Sequence, residues 1–393
     1  MVDRVSPVIK TPGSFALWNL GFRPFYLLAS VFSAFSVLLW VAQYSGFVPT
    51  VYREGSVWHA HEMLFGYTTA VIAGFLLTAV RNWTNRPTPT GIWLMAFAAL
   101  WVAGRVLVLT PLDTATAIAN AAFPVAIAIA IGIPLLKARN VRNYFFIALL
   151  LTLGLLALSV HLALQQRFTF PAQASLQLAL DVVLFIMVVM GGRVIPMFTN
   201  NGIPGAGATR QPWLEKLSLG SVLLLLLADL LQMQPTVLAA IALTSAVAHG
   251  VRLCLWRPWR TTTTPLVWIL HAAYAWIVAH LALRGLSELG LMAESLATHA
   301  LTLGAIGGLT IGMMTRTARG HTARPLQADR YETASYLLLQ ASAIVRVLGG
   351  MLMPGLYVAS VQVSGALWAA AFLLYAIRYW SVLTQPRLDG KPG

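Results

Sequence analysis

"WHAHEMLFGYTTAVIAGFLLTAVRNW", residues 58–83, opens on two histidines and a glutamate and ends on arginine, asparagine and tryptophan. Between them the chain stays mostly apolar for about eighteen residues, the length of a helix crossing a ~30 Å hydrocarbon core. Stretches of the same kind recur along the chain. Runs near twenty apolar residues fall at 23–45, 59–80, 91–110, 115–136, 143–163, 174–195, 213–232, 235–256, 264–283, 290–315, 329–349 and 354–378. The expected fold is therefore all-α: a polytopic transmembrane bundle of about twelve spans. Composition agrees, with 58% of the 393 residues hydrophobic and 10% charged, against about a quarter charged in soluble domains. We divide the chain into an N-terminal segment 1–22, one membrane domain 23–378 and a tail 379–393, and read the first apolar run as a retained span, not a signal peptide.

The formal net charge of +14 could suggest a nucleic-acid partner, but its distribution excludes one. Of the 26 basic residues only Arg53, Arg167 and Arg284 fall in loops of one side, while Arg105 and Arg346 fall inside or at the end of spans. The others gather on the opposite face. The positive-inside rule makes that face cytoplasmic, with both termini on it. The single cysteine, Cys254, excludes a disulfide framework and a thiolate-held iron–sulfur cluster. No Walker motif, dinucleotide fingerprint or H-E-x-x-H is present, so a hydrolytic zinc site is not expected.

With so few charges, the histidines carry the most information. His59 and His61 open the span at 59–80 from outside, and Glu62, within about 60° of His59, is expected to fix that ring's tautomer. His249 and His271 each stand about seven residues from the cytoplasmic end of their spans, a shared depth of roughly 10 Å. His299, nine residues into the span at 290–315, is expected near the midplane, where polar groups are costly and usually functional. Thr302, Ile306, Thr310 and Met313 share its face. Gly304, Gly308 and Gly312 lie opposite, spaced for close approach of another helix. His321 falls in the inner loop. His161 and His280 are assigned no role, since an interfacial histidine or one bonded to a neighbouring carbonyl needs none.

Seven segments, "GFRPFYLLA" (21–29), "WHAHEMLFG" (58–66), "AGFLLTAVRNWTNRPTPTG" (73–91), "GGRVIPMFT" (191–199), "PLVWILHAAYAW" (265–276), "HALTLGAIGGLTIGMMTR" (299–316) and "GHTARPL" (320–326), together resemble the NnrS family. That resemblance implies a bacterial inner-membrane protein of nitric oxide metabolism and nitrosative-stress defence that contains haem, here expected as haem b, and copper. It implies metal or haem ligation by His59, His61, His271, His299 and His321, with His249 as a further haem ligand. Two axial ligands of one haem must lie at similar depth. That rule pairs His249 with His271, with His321 folding in from its loop, and His299 with His59 or His61, giving two stacked centres. Anionic haem propionates need cations, for which Arg193, Arg81 and Arg316 are the candidates. The expected activity is reduction of nitric oxide, an apolar gas, with electrons from a membrane donor such as quinol. Glu62 and Glu294, with the threonines of the 290–315 span, would relay protons, and Tyr274, on the His271 face, is counted with the catalytic groups. The competing reading is a non-catalytic metal, haem or nitrosyl-complex binding protein, or a transporter. Histidines concentrated on the spans at 59–80 and 235–315 favour a cofactor.

Overall fold

The computed structural model describes residues 15–49 and 55–391; Arg4, Lys10 and Arg53, used in the charge reading, lie outside them. Among the described residues the fold is 80% helix without strands, in twelve helices, ten of them long and apolar enough to cross a membrane. They are α1 (Phe22–Tyr44), α2 (Gly55–Thr84), α3 (Ile92–Leu107), α4 (Asp113–Lys137), α5 (Phe145–Leu164), α6 (Ala172–Gly202), α7 (Pro212–Leu230), α8 (Pro235–Leu255), α9 (Pro265–Glu288), α10 (Glu294–His321), α11 (Arg330–Leu352) and α12 (Tyr357–Thr384). The two that fall short are α3, with 16 residues, and α7, which carries Glu215, Lys216 and Asp229.

The sequence explains where several helices start. Pro212, Pro235 and Pro265 occupy the first positions of α7, α8 and α9, where a residue without an N–H loses no helical hydrogen bond. Asp329 opens α11 with a reciprocal cap, accepting from the Tyr331 and Glu332 amides while Glu332 accepts from its own N–H. Consecutive helices pack as neighbours, and α12 returns to lie along both α1 and α11. Backbone ties close that ring: Ala16 N–H donates to Thr384 O at 2.8 Å, and Arg23 Nη1 donates to Leu383 O and Gln385 O at 2.9 and 2.8 Å.

Three positions differ from the sequence expectation. α6 continues through Pro196 to Gly202, because helix continuity follows the backbone whereas the span at 174–195 was cut where hydropathy falls. α10 begins at Glu294, so His299 stands in its second turn, near the end opposite the arginine-rich face and not midway along the helix, and α10 ends on His321, which is helical and not in a loop. Finally, α2 packs against α10 without a comparable contact to α8 or α9, whose main partners are α6, α7, α10, α11 and each other. The histidines therefore do not converge on one place.

The partner of the glycine face of α10 is α9. A Cβ at Gly304 would clash with Trp276 Cγ, one at Gly308 would lie 2.7 Å from Ala273 Cβ, and one at Gly312 2.8 Å from Leu270 Cδ2. Gly308→Val is thus expected to force the two helices apart at a cost of about 1–3 kcal/mol, read as a lowered thermal midpoint in detergent. An unchanged midpoint would show that the α9–α10 contact is slack.

Three helices contain a π-helical turn: α2 at Glu62–Thr68, α10 at Ala300–Gly307 and α11 at Val345–Gly349. Such turns widen the helix by one residue and often mark functional sites. All three border the same cavity.

Candidate functional site

The cavity lies between α1, α2, α6, α10, α11 and α12 and offers about 330 Å³ to the centres of water-sized molecules. At a liquid share of about 30 Å³ per water that is room for about eleven waters, and it lies at the lower end of the range of ligand pockets. Its walls are mostly apolar, among them Val37, Leu64, Leu180, Ile306 and Trp368. The polar groups collect at one end, where α2, α10 and α12 begin.

His299 projects there from α10. Its Nδ1–H donates to Ser295 O at 2.6 Å, which leaves Nε2 with its lone pair, the tautomer of a metal-ligating imidazole held by a carbonyl. His59 lines the same wall. Its ring stacks on Trp40 at 5.1 Å and 12°, and its Nδ1 is buried with no hydrogen-bond partner. Arg346, 6% exposed, completes the polar end: Nη2 donates to the Tyr357 hydroxyl at 2.7 Å, while Nη1 is buried without a partner. A buried guanidinium nitrogen left unpaired is costly, and this one borders open space. It is the residue that sequence reasoning missed. The signal was there, since a charge inside a membrane span is a functional candidate by default.

Other candidates are placed differently. Glu62 serves His61, not His59: it accepts from His61 Nδ1 at 2.8 Å and from Arg105 Nη1 at 2.7 Å. Arg105 also donates a short bond to Asn120 Oδ1, and Trp101 Nε1 donates to Gly66 O at 3.0 Å. This buried ion pair faces α3 and α4, away from the cavity, because the π turn that starts at Glu62 rotates the helix just there. His161, set aside as merely interfacial, has its ring 4.7 Å from that of His61. Glu294 is exposed at the start of α10 and does not line the cavity.

On the arginine-rich side, His249 and His271 do not face one another as a ligand pair. Arg252 Nη1 donates to the Tyr274 hydroxyl at 2.8 Å, and Arg252 is itself held by Glu215. The phenol proton therefore goes to His249 Nδ1, 2.6 Å away, and His249 Nε2–H donates to Ser218 O at 3.2 Å. Both nitrogens of His249 are used, so none is left for iron, and Tyr274 belongs to this chain and not to the cavity. His271 donates through Nε2 to Thr199 Oγ1 at 2.8 Å, the threonine proton being committed to Ile195 O. Its Nδ1 is buried without a partner. Equal depth brought these two histidines to one level, but α8 and α9 turn them toward different neighbours. His321 stands apart from both, against the Phe22 ring at 5.7 Å and near Arg81, Arg23 and Arg387.

The arginines proposed for propionates lie toward the opposite helix ends from the cavity's polar group. Arg193 donates to Asn143 Oδ1 at 2.7 Å, and Arg316 sits over the Phe198 ring at 3.7 Å. Among the described residues no three His, Cys, Asp or Glu side chains converge as a metal site.

The pattern of the NnrS family, described as NnrS protein, matches residues 16–387. No curated protein matches the chain. Nearly the whole chain is covered by that match, and ten helices are able to cross a membrane. The protein is thus a multi-pass membrane protein that belongs to the NnrS family.

Proposed function

We propose that the cavity holds a haem b and that the protein binds and reduces nitric oxide there, with electrons from a quinol dissolved in the same bilayer. One observation carries this reading: two histidines and an arginine with one unpartnered nitrogen close one end of a mostly apolar cavity. His299, with its tautomer fixed by Ser295, and His59, braced by Trp40, would hold the iron. Arg346, with Tyr357, would hold a propionate. The haem would supply a path for electrons and, where His59 gives up its position to the gas, a binding site for nitric oxide. The apolar walls would admit nitric oxide and quinol, both lipid-soluble. In the reaction two molecules of nitric oxide take up two electrons and two protons, one N–N bond forms, one N–O bond breaks, and nitrous oxide and water leave; the quinol becomes quinone. The copper that the family resemblance implies has its nearest match in the His61–His161 pair.

The arginine-rich face is taken as the cytoplasmic face of a bacterial inner membrane, as the positive-inside rule requires. The absorption spectrum of the purified protein tests the reading. A Soret band that shifts on adding nitric oxide to the reduced protein is expected. A protein without haem, or with copper alone, would leave a non-catalytic binding role or transport in its place.

A further inference from the structure

Proton supply is the part of the reaction that the cavity residues do not provide. Glu62 faces away from the cavity, and Glu294 is exposed at the start of α10 and does not line it. A different set of groups leads from the cavity toward the arginine-rich face.

Tyr67 lines the cavity, and its hydroxyl donates to Thr310 Oγ1 at 2.5 Å, the threonine proton being committed to Ile306 O at 2.7 Å. Thr310 and Thr317, both beyond the π turn, fall within about 20° of one another on α10. Three phenols from three other helices approach this half of α10. Tyr26 of α1 turns its hydroxyl toward Thr317 and Tyr336 of α11 toward Thr315. Tyr375 of α12 lies within electrostatic reach of Tyr26, Tyr336 and Tyr379. All three phenols are buried, and the Tyr375 hydroxyl has no hydrogen-bond partner. The Tyr375 ring stacks on Tyr379 at 4.3 Å and 7°, and Tyr379 donates a short bond to Glu332 Oε1. Glu332 accepts from Arg319 Nε and Nη2 at 2.8 and 2.9 Å. Beside it, Asp329 binds Arg378, a pair that reaches the surface.

Leaving a buried hydroxyl unpaired costs about 1–3 kcal/mol, and phenylalanine would fill the same space without that cost. The Tyr375 hydroxyl is thus not explained by packing. Hydroxyls both donate and accept, so one or two bridging waters between them would make a continuous chain.

We propose that this column, Glu332–Tyr379–Tyr375 with Tyr26 and Tyr336, then Thr310–Tyr67, carries protons from the arginine-rich face to the cavity. The use of those protons rests on the nitric oxide reading; the existence of the route does not. Neither Tyr375 nor Thr310 lines the cavity, so Tyr375→Phe, which keeps the ring stack, and Thr310→Val, which keeps the shape, probe the route without touching the ligand set. With nitric oxide and a soluble quinol as substrates, each variant is expected to keep wild-type haem content and its nitrosyl spectrum but to turn over at least about tenfold more slowly, the scale of a lost proton-transfer group. Turnover within twofold of wild type in both variants would overturn the route. A wild-type protein that consumes no nitric oxide would instead sink the functional reading. In that case a high-resolution experimental structure decides the route: ordered water linking the Tyr26, Tyr336 and Tyr375 hydroxyls supports it, and dry packing around them overturns it.

Discussion

His299→Ala is expected to abolish the Soret band, and His59→Ala to remove it or convert it to a five-coordinate form. His299 is the imidazole whose free Nε2 faces the cavity with its other nitrogen fixed on Ser295 O, and no neighbouring side chain on α10 can replace it. Arg346→Met should act on the same signal by a different route. Losing one charge-assisted hydrogen bond costs about 1.5–3 kcal/mol, which lowers haem affinity by roughly ten- to a hundredfold. Arg316→Gln, by contrast, should leave haem content unchanged, because its guanidinium is spent on the Phe198 ring. Haem titration and pyridine-haemochrome content in the four variants check this. Full haem retention in His299→Ala would move the iron out of this cavity.

The second large effect concerns stability. Arg105 and Glu62 are 8% and 1% exposed in their side chains and 2.7 Å apart. Removing one member of such a pair strands the other charge in a medium that cannot solvate it, at about 3–5 kcal/mol. Arg105→Met should therefore lower the thermal midpoint sharply and reduce yield. Glu62→Gln combined with Arg105→Met should recover most of that loss, since both charges then disappear together. If the double variant proves as unstable as the single one, the pair stabilises through packing and not through charge. Because Glu62 also orients His61, the metal content of both variants reports whether the His61–His161 pair depends on it.

The difference between these two sites shows what could be read in advance. Twelve helices, their order and their rough ends followed from hydropathy alone, since each must bury its own backbone polar groups while crossing hydrocarbon. The close-packed face of α10 was legible too, because glycines four apart mark a small-residue stripe whatever helix lies against it. His59 and His299 do line one cavity, although His299 was expected nearer the middle of its helix.

Depth was also what misled. His249 and His271 do stand in neighbouring helices, yet Tyr274 and Ser218 take both nitrogens of the first and Thr199 binds the second. Arg346 looked like a residue at the end of a span until α12 brought Tyr357 to it and α2 and α10 brought the histidines. The tyrosine column draws on α1, α2, α11 and α12, segments far apart in the chain. Sequence by itself determined which segments are long and apolar enough to cross a membrane and roughly where each begins and ends, because transfer from water to lipid acts on each segment separately. Position around the bundle was decided only by the tertiary structure, because it depends on which helices pack together and on π turns that rotate a face by a fraction of a turn.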